Sequence, residues 1–169
     1  KKDPKTRQSA DHSMAYIIAT ALRKGLESGK SGWKELMLSP YDYSAEALHH
    51  PVTRSIMGKI NFVHGGPEYD AKYPDGIPTS LQMSLAGGKT CDSGLIMYPA
   101  GHARNTEADL EDILDYKFDM LSKLAFEESQ RTATIDKFQN LDQKTKEEVE
   151  SIFDFNIAFR DDFNDPVEK

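Results

Sequence analysis

The sequence predicts an α+β fold: a small antiparallel sheet with packed helices, in the manner of a lid-type domain, followed by C-terminal helices. Three observations carry that expectation. Apolar residues recur with helical period from Ala10 to Gly25. The pattern changes to alternation after Gly58, with Gly87-Gly88 as a hairpin signal. Helical spacing then returns beyond Asn105 and holds to about Phe126. A chain of 169 residues is long enough for one domain with a real core and too short for two large ones.

Taken in order, the first element is ADHSMAYIIATALRKG, Ala10 to Gly25. It contains no proline or internal glycine, begins with acidic and capping residues and ends on Arg23-Lys24-Gly25. That polarity complements the helix dipole, and Gly25 can adopt the left-handed terminating conformation. Met14, Ile17, Ile18, Ala21 and Leu22 form one apolar stripe. His12, Tyr16, Ala19 and Arg23 share a second, polar face. This face reads either as one turned towards a polar ligand, or as a place where Tyr16 packs its ring and gives its hydroxyl to a backbone carbonyl. In the Gly/Ser-rich connection that follows, Trp33, Leu36 and Met37 are expected to pin the chain to the core. A short helix opens at Ser44, with a break or restart at Pro51.

Residues 59–64, 77–85 and 89–98 read as three extended runs, with turns at Gly65-Gly66-Pro67, Asp75-Gly76 and Ala86-Gly87-Gly88. Asn105 or Thr106 can cap a long helix at 106–126, with Asp109 placed for a capping box. Residues 127–141 read as a polar connection, Asp142 to Phe155 as a last helix, and 160–169 as an acidic tail. The opening KKDPKTR, without Met, reads as a mid-protein loop and hence as a fragment or processed chain.

Composition narrows the function. A formal charge of −7 argues against a nucleic-acid surface, which needs clustered cations. No apolar run approaches the roughly 20 residues that cross a bilayer, so no membrane partner is expected. Cys91 stands alone and can form neither an internal disulfide nor a thiolate metal cluster. Gly88-Lys89-Thr90 imitates the end of a phosphate-binding loop, but the first glycine would fall at Met83. HExxH, GxSxG and CxxC are all missing, and adjacent His49-His50 cannot share a helix face, so no metal site is expected. YPAGHARN, Tyr98 to Asn105, sets His102 and Arg104 beside a helix start, where they can hold a carboxylate or tie down the connection through carbonyls.

DPKTRQSADHSMAYIIATALRKG, then KINF, then YPAGHARN leading into DLEDILDYKF together resemble the C-terminal part of the MmgE/PrpD family. The likeness runs from Asp3 to about Phe155 and is strongest to eukaryotic, mitochondrial members that dehydrate 2-methylcitrate. The resemblance implies a lid-like domain over residues 1–105, with residues 106–159 as helices that pack on an N-terminal helical domain. It implies loss of water from a small tricarboxylate without a cofactor or iron–sulfur cluster, in the mitochondrial matrix, by a protein that is a homodimer at full length. A family variant, cis-aconitate decarboxylase, and a non-catalytic binding fragment are the alternatives. The tyrosine of the H-S-x-x-Y pattern carries over as Tyr16, a catalytic residue by resemblance. His12, His102 and Arg104 carry over as substrate-binding residues.

Overall fold

The computed structural model describes residues 2–124 and 126–155; the expected acidic tail lies outside them. The α+β expectation holds: helices dominate, and the sheet is a two-stranded antiparallel hairpin. The chain divides into two compact units, one formed by residues up to Ile60 together with those from Tyr116 on, the other by Asn61–Asp115.

In the first unit the expected helix from Ala10 is two helices, α1 (Arg7–Asp11) and α2 (Met14–Ser28). The break has a local cause. Thr6 and Ser9 form a capping box that starts α1, and Ser13 takes extended geometry and accepts the N–H of Tyr16, which starts α2. Gly25 does not end α2. The left-handed terminator is Gly29, at φ 67°, whose N–H bonds the carbonyl of Gly25. Gly25 instead makes room: a Cβ there would stand 3.3 Å from both Leu36 Cδ2 and the Lys30 carbonyl oxygen.

The buried face of α2 is turned away from the expected stripe, of which Ile18, Ala21 and Leu22 are only half-buried. Ala15, Tyr16, Ala19 and Thr20 are fully buried, while Met14 is 51% and Ile17 36% exposed. The small Ala15 and Ala19 let α5 (Pro51–Met57) pack closely on that face, and Tyr16 can go inside because its hydroxyl finds a partner. Ala10, Tyr16, Ala19, Leu48 and Met57 form the core, with Tyr43, Ile56 and Ile60 against it. Pro51 opens α5 after α4 (Ala45–Leu48), the expected restart.

Between α3 (Trp33–Leu36) and α4 lies a 3-10 turn, Pro40–Tyr43, that carries Asp42 inward. The Asp42 carboxylate accepts from Lys24 Nζ (2.9 Å), Arg23 Nη2 (3.4 Å), the Ser39 N–H (2.8 Å) and the Ser39 hydroxyl (3.1 Å). Lys24 also donates to the Met37 carbonyl at 2.6 Å. This node ties the end of α2 to the segment that follows it.

The strand expected at 59–64 is not formed. Lys59 and Ile60 still bond back to Ile56 and Met57 as a helix end, and Phe62 and Val63 are exposed. The expected polar loop from Glu68 contains a one-turn helix, α6 (Pro67–Asp70). In the second unit β1 (Gln82–Ser84) pairs with β2 (Thr90–Asp92), Met83 opposite Cys91. Gly87 and Gly88, at φ 84° and 81°, make the expected turn. The ladder is shorter than the alternation implied, resuming only as a bridge between Thr79 and Ile96. Side chains interrupt it: Ser93 Oγ takes the Leu81 N–H, and Asp92 takes the N–H of Gly94, which turns left-handed at φ 66°.

The helix expected at 106–126 is α7 (Leu110–Ser122), capped by Asp109, which accepts the Asp112 N–H, with Asn105 closing the preceding turn. Tyr116 meets Trp33 edge-to-face at 5.3 Å and bonds the Lys34 carbonyl. Trp33 is thus pinned to α7, and remains 41% exposed. The expected polar connection is helical, α8 (Glu128–Phe138), held by Arg131 pairing with both Asp119 and Glu128. Its sequence lacks an apolar stripe because ion pairs anchor it. The last expected helix shrinks to a 3-10 turn, Leu141–Gln143, and α9 (Lys146–Glu150), started by a Thr145/Glu148 capping box. Among the described residues no helix is long and apolar enough to cross a membrane.

Two substitutions test this account. Gly29→Ala should cost about 1 kcal/mol of unfolding free energy in urea, because an L-residue resists positive φ. Gly25→Ala should cost less, its propensity gain offsetting a tight contact; the reverse order would place the helix end at Gly25. Asp42→Asn should cost about 3 kcal/mol, since it leaves Lys24 and Arg23 without their buried counter-charge, and an unchanged denaturation midpoint would refute the node.

Candidate functional site

Tyr16 lies in the first turn of α2, its N–H bonded to the Ser13 hydroxyl at 3.3 Å. The residue is 0% exposed. Its hydroxyl donates to the Asp42 carbonyl at 2.5 Å, and its ring lies 5.9 Å from that of Tyr43 at 39°. Of the two readings of this face, the geometry found is the packed ring with its hydroxyl bonded to a carbonyl. Burial, and then the Asp42 charge, push the phenol above its ordinary value, while the Arg23 guanidinium pulls the other way. Tyr16 is therefore a proton donor at neutral pH and no base.

His12 is the C-terminal cap of α1 and its side chain is 76% exposed. Nδ1 lies 3.0 Å from the Gln8 carbonyl, and a carbonyl accepts only, so Nδ1 carries the proton. Nε2 is then the lone-pair nitrogen, and Asp11 Oδ2 stands 3.8 Å from Nδ1. An imidazole held at one nitrogen by a carbonyl has the arrangement of an oriented acid or base. His12 and Tyr16, four residues apart, are separated by the break at Ser13: one is outside, the other inside.

His102 and Arg104 lie in the second unit. His102 stacks on Tyr98 with centroids 4.9 Å apart, and its Nδ1 accepts the Arg104 N–H at 3.1 Å, which leaves the proton of the neutral ring on Nε2. Arg104 Nη1 donates to the Asp75 carbonyl at 3.2 Å, and Asn105 Nδ2 to the Tyr98 carbonyl at 2.9 Å. The stretch thus ties itself down through carbonyls, the second of its two sequence readings. Gly101 is not among the glycines at positive φ, so the unusual backbone it would permit is not used.

Sequence reasoning missed Asp42, Tyr43 and Lys24. The available signal was the Ser39-x-x-Asp42 capping pattern ahead of a proline-led turn, which marks an anchored carboxylate. Among the described residues no group of three or more His, Cys, Asp or Glu side chains is placed to hold a metal ion.

The two phenols set an alkaline limit. Tyr43 is pushed up to about 12, by burial first and then by Asp11. A phenol whose folded pKa is raised contributes stability that is present below the unfolded value of about 10 and is lost as pH rises through the folded one. The melting temperature should therefore fall from about pH 10 to pH 12, less steeply in Tyr43→Phe; identical slopes would remove Tyr43 from the cause.

No curated protein and no solved structure matches the chain. One family model does, that of the MmgE/PrpD C-terminal domain, over residues 1–143. That span holds the ADHSMAYIIATALRKG and YPAGHARN stretches and both structural units up to the 3-10 turn after α8. On that match the chain belongs to the MmgE/PrpD family, whose members include dehydratases and other lyases.

Proposed function

We propose that this chain is the C-terminal portion of a hydro-lyase that removes water from 2-methylcitrate to give 2-methyl-cis-aconitate. The observation that carries the reading is the family match across residues 1–143, together with the strength of the DPKTRQSADHSMAY and YPAGHARN resemblance to methylcitrate-dehydrating members. The reaction takes a proton from a carbon beside a carboxylate and expels the neighbouring hydroxyl as water once an acid has protonated it. The electron pair of the C–H bond becomes the new double bond. Such chemistry needs an oriented base, an acid and donors for the carboxylates.

In this reading His12 is the group of the segment that meets substrate, since its ring is outside and already oriented. Tyr16, catalytic by resemblance, acts here as a positioning residue: it locks the start of α2 onto Asp42 and so fixes the break that presents His12. His102 and Arg104, within the second unit, are proposed separately and on the family spelling alone as carboxylate donors, through the His102 Nε2–H and the guanidinium. The remaining groups come from an N-terminal helical domain, and the apolar stripe Leu114, Phe118 and Leu121 on α7, each more than two-fifths exposed, fits a surface that packs on it. The chain alone is then inactive, and the complete protein is a dimer of the mitochondrial matrix.

The complete protein, given 2-methylcitrate, should generate the ultraviolet absorbance of a conjugated product, while the 169-residue chain should not. Release of carbon dioxide from cis-aconitate, with no turnover of 2-methylcitrate, would replace the dehydratase by the decarboxylase. His12→Gln in the complete protein should lower kcat by about 10²-fold, as loss of a positioned acid or base does. Tyr16→Phe should lower the melting temperature, by about 1–3 kcal/mol of stability for the stranded Asp42 carbonyl, with kcat nearly kept. A 10²-fold fall in kcat for a well-folded Tyr16→Phe would return the tyrosine to the chemistry.

A further inference from the structure

In the second unit the loop from Tyr98 to Asn105 is built around the ring of His102. Two successive turns form its backbone: the His102 N–H bonds the Pro99 carbonyl at 2.9 Å, and the Asn105 N–H bonds the His102 carbonyl at 2.8 Å. They bring residue 102 back against residue 98, and the imidazole stacks on the Tyr98 ring with centroids 4.9 Å apart and planes at 22°. Asn105 closes the loop. Its Nδ2 donates to the Tyr98 carbonyl at 2.9 Å, while its Oδ1 accepts the N–H groups of Glu107 and Ala108, both at 2.9 Å. One side-chain amide therefore ties the start of the loop to the approach to α7. Tyr98, His102 and Asn105 are half-buried, whereas the residues between them are exposed.

The consequence falls on the imidazole. A backbone N–H only donates, so the 3.1 Å bond from the Arg104 N–H requires a lone pair at Nδ1. The stack alone sets the plane of the ring but not which edge meets that amide, because a half-turn about χ2 preserves the stack. The hydrogen bond alone selects the edge but tolerates tilt. Together they fix both, and the donor left to the neutral ring is Nε2–H in one direction. A donor already aimed needs no reordering when negative charge arrives, which is why preorganised donors are the effective ones.

We propose that Tyr98 and Asn105 are positioning residues for His102. Tyr98 sets the plane of the imidazole, Asn105 holds the loop in which the Arg104 amide reaches Nδ1, and the two together aim the Nε2–H. The kinetic half of this inference rests on the reading of His102 as a donor to substrate; the structural half stands on the loop alone.

Nitrogen–nitrogen coupling across the Arg104 N–H···Nδ1 bond reports the lone pair and the ring edge together. It is measured by NMR on the isotope-labelled 169-residue chain at about pH 9, where an imidazole is neutral. The coupling should be present in the unaltered chain and persist in Tyr98→Phe, which keeps the ring. It should vanish in Tyr98→Leu and in Asn105→Asp, which keeps the Oδ1 acceptor and removes the Nδ2 donor. In the complete protein with 2-methylcitrate, Tyr98→Leu and His102→Gln should each raise KM by roughly tenfold, the size expected for one hydrogen bond to a charged group. The double variant should be no worse than either single one, because both changes remove the same contact. Absence of the coupling in the unaltered chain, or its survival in both Tyr98→Leu and Asn105→Asp, would overturn the proposal. So would a KM raised by His102→Gln and untouched by Tyr98→Leu. No turnover of 2-methylcitrate by the unaltered complete protein would sink the dehydration reading and the kinetic half with it, while the coupling, measured without substrate, still decides the loop. Should one variant fail to fold, the other, set against Tyr98→Phe, decides.

Discussion

The first unit depends on the buried carboxylate of Asp42. Its two oxygens collect Lys24, Arg23 and the Ser39 amide and hydroxyl, while its own carbonyl takes the Tyr16 hydroxyl. A carboxylate taken from water is costly unless its lone pairs are filled, and here they are. The consequence is topological. Residues 16, 23 and 24 lie along one side of α2, so a single residue in the next segment fixes both the rotation of the helix and its height. Rotation decides which face is inside, and that choice controls what each side chain of the segment can do.

That rotation is what periodicity could not give. The spacing of Met14, Ile17, Ile18, Ala21 and Leu22 states correctly that α2 has an apolar stripe, but this chain leaves Met14 and Ile17 exposed and half-buries the rest. Burial went to Ala15, Tyr16, Ala19 and Thr20, because small residues allow close helix approach and because the Asp42 carbonyl supplies a partner for the Tyr16 hydroxyl. Asp42 lies 26 positions beyond Tyr16, a separation that a window of one helix cannot see. The hairpin was legible for the opposite reason. Gly87-Gly88 is a local demand on φ, met locally, whereas the length of the ladder rested on Ser93 and Asp92 competing for backbone donors. Likewise α8 escaped notice because Arg131 and two carboxylates hold it in place of an apolar stripe.

The candidate site was legible in its residues and not in their placement. His12, Tyr16, His102 and Arg104 are visible as letters of two family stretches. Which of them offers chemistry depends on the break at Ser13 and on hydrogen bonds to carbonyls. A helix running unbroken through residues 12 to 16 would put imidazole and phenol on one face, a short distance apart. Ser13 prevents this by starting a new helix, so Tyr16 turns in and His12 stays out. A two-residue interruption thus separates a buried phenol from an exposed imidazole within five residues of sequence.

The exposed apolar groups follow from the same rotation. With Tyr16 inside, Met14 and Ile17 must face out, and α7 presents Leu114, Phe118 and Leu121 at helical spacing. Scattered apolar residues on a surface need no explanation, but stripes at helical period on two elements are the form that a covered face takes. If these stripes were core positions in excess, the unit would have rotated α2 to bury them, since Met14 and Ile17 offer more apolar area than Ala15 and Ala19. The chain did not, because Asp42 holds the helix against that rotation. The polar node therefore does two things at once: it stabilises the unit from within, and it keeps an apolar surface available for whatever packs upon it.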